Sequence, residues 1–120
     1  PLDYMDLIIY TGFGYSGRDL LFTRTCDAIF IGCGRIGTIH EFTIAFEDNK
    51  PIGILQGEWD MDETIKTIIE RGQRPNPKIV FDTDPKKLVQ KVMALVEADK
   101  VAEYKLVRPN VNFTTKPDEA

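Results

Sequence analysis

The 120-residue chain carries 15 basic and 19 acidic side chains, a net charge of −4, with 42% hydrophobic and 28% charged residues. That is the size and balance of one folded domain. It lacks the basic excess that a nucleic-acid partner demands, and its longest apolar runs fall far short of the ~20 residues of a membrane span; neither nucleic acid nor membrane is an expected partner. Cys26 and Cys33 make no disulfide framework, and the N-terminus shows no basic-then-apolar leader, so a reducing cytoplasm is the expected compartment. The chain opens at Pro1 rather than methionine, as a processed product or a piece of a longer protein would.

Four short apolar runs, at residues 7–10, 28–31, 52–55 and 79–81, are rich in isoleucine and aromatics and are expected to be strands. Each is followed by a helix signal. Ser16 with Asp19, Thr38 with Glu41, and Asp60 with Glu63 have capping-box spacing, and Asp84-Pro85 sets an N-cap before a proline at the first helical position. In the third helix Met61, Ile65, Ile68 and Ile69 make an apolar stripe, and Arg71-Gly72 predicts an end near Arg71 with a left-handed glycine. The fourth is expected from Pro85 to about Asp99, burying Leu88, Val92, Leu95 and Val96, with Val89 and Met93 widening the buried face. Strands alternating with helices predict an α/β fold: a Rossmann-like parallel sheet with helices on its faces. The domain is expected over residues 1–104, followed by a tail over 105–120.

The chemistry concentrates between Asp27 and Glu41, where a strand runs through Gly32, Gly34 and Gly37 into a helix. Glycine lets backbone amides close around an anion just where the helix offers its positive end. A phosphate or carboxylate is the natural guest, and an ordinary tight turn is the plain alternative. The spacing Gly32-x-Gly34-x-x-Gly37, with Glu58 beyond the next strand, also matches a dinucleotide fingerprint. Arg35 in the loop, and Arg18 in the first turn of the preceding helix, are cations at the wrong end of a helix dipole, which suits a bound anion as well as plain solvation. Asp19 beside Arg18 is placed to neutralise it. Glu41 is either the capping partner of Thr38 or a carboxylate acting on a ligand held at the helix start. His40 is the only histidine, so no histidine-based metal site is expected, and Cys33 has no nucleophilic setting around it.

The order Arg18, Asp27, Gly34-x-x-Gly37-Thr38-x-x-Glu41, then Asn49-Lys50-Pro51-Ile52 opening a strand, resembles the LOG-type family. These are the cytokinin-activating phosphoribohydrolases and their relatives long labelled lysine decarboxylases. Their motif, Pro-Gly-Gly-x-Gly-Thr-x-x-Glu, follows an arginine on the previous helix and precedes a Lys-Pro. The likeness runs from about Tyr10 to Leu55, with Cys33 and Arg35 standing where that motif has proline and its second glycine, as in a Gly-Arg-Ile-Gly-Thr variant. The resemblance implies a Rossmann-like domain that binds a nucleoside 5′-monophosphate and cleaves its N-glycosidic bond. Arg18 and Glu41 would be the catalytic pair, and Gly32, Gly34, Arg35, Gly37 and Thr38 the phosphate-binding set. It also implies a homodimer, no metal and no cofactor. A further N-terminal half, present in the family, has no counterpart in this chain, so the chain is expected to be the C-terminal part of the domain or to complete its site from a second copy.

Two other functions fit the same residues. One is a nucleotide or cofactor carrier or sensor without turnover; the other is a dinucleotide-dependent oxidoreductase domain, resting on the three glycines and Glu58. Pyridoxal-phosphate chemistry ranks last, because no lysine stands in a recognisable Schiff-base setting.

Overall fold

The computed structural model describes residues 3–75 and 77–107. Its centre is a three-stranded parallel sheet, β1 (Ile29–Ile31), β2 (Ile52–Leu55) and β3 (Ile79–Asp82), in the order β1-β2-β3. Ile29 lies opposite Ile52 and Ile52 opposite Ile79. Parallel neighbours need a crossover between them, supplied by α2 (Ile36–Glu47) and α3 (Met61–Gly72), while α1 (Tyr15–Arg24) precedes β1 and α4 (Pro85–Val107) follows β3. This is the α/β, Rossmann-like architecture expected.

Side chains alternate across the sheet. Ile29, Ile31, Ile52 and Ile54 point to one face and join Phe42, Ala45 and Phe46 of α2 and Met61 and Ile65 of α3 in a single core. The rings of Phe42 and Phe46 stack at 5.5 Å. On the other face α4 covers β2 and β3 with Leu88 and Val92. Gly53 of β2 is what lets α4 come close: a Cβ there would sit 2.7 Å from Val92 Cγ2 and 2.9 Å from Phe30 Cδ1. Phe30 of β1 is on that face too, and 51% of it is exposed.

The segment around Asn49 ties these layers together. Asn49 takes a left-handed φ of 55° and ends α2, with the Lys50 amide donating to Ala45 O at 2.9 Å. The Lys50 ammonium turns back to donate to Arg24 O at 3.3 Å and to Cys26 O, satisfying carbonyls at the end of α1. Pro51 is fully buried, and its carbonyl accepts the first ladder bond, from Ile29 N at 3.1 Å. At the N-terminal end of the sheet, Lys78–Asp99 (2.6 Å) and Lys100–Asp27 (2.9 Å) fasten the far half of α4. Lys100, by hydrogen bond and charge, holds the Asp27 carboxyl below the usual aspartate range.

Several expectations are corrected. Residues 7–10 form no strand; Leu7, Ile8, Ile9 and Tyr10 are between 41% and 86% exposed. An apolar run becomes a strand only when it finds a paired neighbour and a face to bury, and this one has neither. Only Asp84 caps as expected, its Oδ1 accepting from Lys86 N at 2.9 Å. The N-caps of α1 and α2 are Gly14 and Arg35, and neither these nor Asp60 makes a side-chain cap bond. Gln73, not Gly72, takes the left-handed turn after α3, with φ 49°; Gly72 is the last helical residue, and Phe46 packs on it, 2.7 Å from where its Cβ would stand. Helix α4 continues to Val107, and Val89 and Met93 are about half exposed because they fall outside the strip that meets the sheet. Residues 108–120 of the expected tail lie outside the described residues.

Gly53→Ala should lower stability by about 1–3 kcal/mol through overpacking between Val92 and Phe30; urea unfolding followed by circular dichroism checks it, and an unchanged midpoint would mean α4 yields freely.

Candidate functional site

The carboxyl end of β1 opens into the glycine loop, and α2 begins at Ile36, earlier than the Thr38 cap signal implies. Thr38 therefore lies inside the first turn, with its side chain folded back on Gly34: a Cβ at Gly34 would overlap the Thr38 hydroxyl and lie 2.5 Å from its Cβ. No side chain fits at residue 34 without moving Thr38. The first turn of α2 contains no acidic residue, so its free amides and positive dipole end face no carboxylate of their own helix turn. Arg35, the N-cap residue, is exposed, and among the described residues nothing holds its guanidinium by an ion pair or hydrogen bond. Trp59, the only tryptophan, closes the loop from the β2 side, its ring edge 3.9 Å from where a Cβ on Gly32 would stand, with its Nε1 buried and unpartnered.

Helix α1 packs across α2 and brings a second set of charges to this end. Asp19, only 14% exposed at its side chain, receives His40 Nδ1 at 3.1 Å on Oδ2. Glu41 faces the same carboxylate. Burial first, then the charge of Asp19 and the hydrogen bond that a protonated Glu41 can give it, push the Glu41 carboxyl above the usual glutamate range, against weaker opposing pulls from His40 and Arg18. Arg18 itself lies over the ring of Tyr15, its guanidinium carbon 4.7 Å from the centroid.

Two clefts flank the start of α2. One, about 260 Å³, runs between the helices and is lined by Tyr15, Ser16, Asp19, Ile36, Gly37 and His40. The other, about 380 Å³, lies along β1 and holds Gly32, Cys33, Thr38 and Glu41 with the apolar Phe22 and strand residues 28–31. The second is in the size range of small-molecule sites. Of the residues singled out from sequence, Gly32, Thr38 and Glu41 thus meet in one cleft, Gly37 lines the other, Gly34 supports Thr38, and Arg18 lines neither. Arg35 stands exposed at the mouth of the helix, and Glu58 is exposed in the β2–α3 connection. Sequence reasoning missed the part of Asp19, read as a partner of Ser16 or Arg18, and of Phe22 and Phe30, whose apolarity carries no sign of which cleft they line. Among the described residues no group of three or more His, Cys, Asp or Glu is arranged to hold a metal ion, and no helix is long and apolar enough to cross a membrane.

The parallel sheet with flanking helices and the glycine loop at a helix start define a Rossmann-like α/β domain. The model of the SLOG cluster4 family matches residues 2–89, and the chain belongs to that family. SLOG is a Rossmann-like superfamily related to the LOG-type enzymes, and membership points to a nucleotide-related small-molecule ligand. No curated protein and no solved structure matches the chain.

The raised Glu41 makes a stability prediction. A folded-state value above the unfolded one means the native protein binds the proton more tightly, so this contribution is present at low pH and is lost as pH rises through the folded value. Glu41→Gln removes it. The variant should gain stability relative to wild type between pH 4 and pH 7; urea titrations at both pH values test this, and a difference that does not grow with pH would overturn it.

Proposed function

We propose that this protein binds a nucleoside 5′-monophosphate and hydrolyses its N-glycosidic bond, in the manner of the LOG-type phosphoribohydrolases. The observation that carries the reading is the cleft along β1, in which loop glycine Gly32, the Thr38 hydroxyl, the Glu41 carboxyl and an apolar wall with Phe22 share one volume. In this reading the phosphate sits at the first turn of α2, against the amides of residues 36–38, Thr38 and the free guanidinium of Arg35. Gly32, Gly34 and Gly37 keep that approach open. The ribose then lies toward Glu41, and the base against the apolar wall.

The chemistry suits a carboxyl group there. Cleavage of the C1′–N bond passes through an oxocarbenium-like state that a carboxylate stabilises, and a water activated by Glu41 adds its oxygen to C1′ while the departing base takes up a proton. A Glu41 value raised above the ordinary range brings the carboxyl closer to the working pH of an acid–base group. Arg18 would supply positive charge to the phosphate or the base.

A second reading, nucleotide binding without turnover, is favoured by one observation: Arg18, the expected catalytic partner of Glu41, stacks on Tyr15 and lines neither cleft. Glu41→Gln separates the two. The hydrolase reading predicts that the wild-type chain releases adenine and ribose 5-phosphate from AMP and that the variant loses release while keeping AMP affinity. Equal release by both proteins would sink it. Arg35→Ala should weaken AMP binding by about 1–3 kcal/mol, which quenching of Trp59 beside the loop can follow; unchanged affinity would place Arg35 outside the site. A second copy completing the site is part of the proposal, and sedimentation with and without AMP reads it.

A further inference from the structure

We propose that the indole N–H of Trp59 is a hydrogen-bond donor of the binding site, held beside the glycine loop for a phosphate oxygen of the ligand. The inference rests on the nucleotide reading above and adds to it a residue of the β2–α3 connection that neither the LOG-type motif nor the glycine loop contains.

Two buried side-chain atoms have no hydrogen-bond partner among the described residues, Thr23 Oγ1 and Trp59 Nε1. Thr23 lies within α1 and lines neither cleft. Trp59 lies against the loop. Its N–H is a donor only, fixed in the plane of the ring, and a buried donor without an acceptor destabilises the unliganded protein. The chain nevertheless makes way for the indole: a Cβ on Gly57 would overlap the ring, 2.5 Å from Cζ3, so the ring can lie there only because residue 57 is glycine. The indole also packs against the core cluster of the sheet, α2 and α3, which keeps it from swinging out to find water.

The edge of the indole that carries the donor faces the loop. Nε1 and Cζ2 are bonded to the same ring carbon, and Cζ2 stands 3.9 Å from the point where a Cβ on Gly32 would lie. Apart from the adjoining residues of the chain, Cζ2 is the one atom of the described residues within 4 Å of that point, so the room a side chain would fill beside Gly32 is open. Gly32 also stands in the wall of the cleft along β1, with Thr38. An oxygen that enters this room from the cleft comes up against the indole edge on one side and the loop backbone on the other. A phosphate oxygen suits it best, being a charged acceptor with lone pairs left over once the amides of α2 are served. The bond to it offsets what the unpaired N–H costs the unliganded protein, so the donor adds to affinity without adding to stability.

Trp59 is the only tryptophan, so the full 120-residue chain gives a single indole N–H signal in a proton–nitrogen correlation spectrum. AMP and ribose 5-phosphate should both move that proton downfield, together with the amides of residues 36–38, and adenosine should not. Biosynthetic replacement of Trp59 by benzothienylalanine puts sulfur where the N–H is and keeps the shape of the ring. It should weaken AMP binding about tenfold, while the urea midpoint of the unliganded protein stays level or rises. An indole signal that stays put while the amides of 36–38 respond to AMP, or an unchanged affinity in the sulfur analogue, overturns the proposal and leaves the nucleotide reading standing. A loss of affinity that comes with a lowered midpoint overturns it as well, since the ring is then packing alone. Inorganic phosphate decides the remaining case. If it moves the indole and loop signals where AMP moves neither, the donor role holds and the nucleotide reading falls; if it too moves neither, both fall.

Discussion

Everything in the fold follows from burying β2 on both faces. Ile52 and Ile54 are fully buried on one side and Gly53 is covered on the other, so the strand is shielded on both faces up to Leu55, which is half-buried. A central parallel strand of this kind requires helices above and below. It also requires each connection to pass over the sheet, which sends the carboxyl ends of the strands, and the loops that follow them, to one end of the molecule. The opposite end is given over to fastening: Lys50 on the carbonyls after α1, Lys78 with Asp99, and Lys100 with Asp27. These pairs are partly exposed and individually contribute little. Their value is in fixing which helix lies over which strand.

At the loop end the glycines divide their work. Gly34 is compelled by sterics, since Thr38 occupies the space a Cβ would need. Gly37 is not crowded in that way, its nearest neighbour being Asp19 Oδ2 at 4.0 Å; a bare backbone there keeps the space between α1 and α2 open. Gly32 adjoins Trp59, and a larger residue would press on that ring. One motif thus contains a packing constraint, an opening and a contact between loop and indole.

The fold was largely legible in the sequence because three strands and the apolar stripes of α3 and α4 obey periodicities that burial enforces. Met61 and Ile65 are buried as the stripe implies, and Leu88 and Val92 likewise. Residues 7–10 misled for the same reason: their composition states a preference for a strand, but pairing is a tertiary event that composition does not contain. The caps misled differently. A Ser, Thr or Asp three residues before a carboxylate marks a helix start within a turn, but the side chain then competes with other partners, and here Thr38 packs on Gly34 while Asp19 turns to α2. The candidate site was legible as a loop, through Gly32, Thr38 and Glu41, and illegible as a helix crossing. No spacing along the chain reveals that residue 19 meets residue 40.

That crossing settles what the cap signal left open for Glu41. With the helix starting at Ile36, Glu41 is too far along α2 to return a hydrogen bond to the first amides, so its carboxyl is not engaged in ending the helix. A carboxylate used for capping would be drawn to the positive end of the dipole and held ionised. Glu41 is shifted the other way, by burial and by Asp19. The positive end of α2 is consequently left to the loop amides and Arg35, and the acid is kept for a position one turn deeper. Positive groups at the mouth and, one turn behind them, a carboxyl raised above the ordinary glutamate range set the polarity of this end of α2.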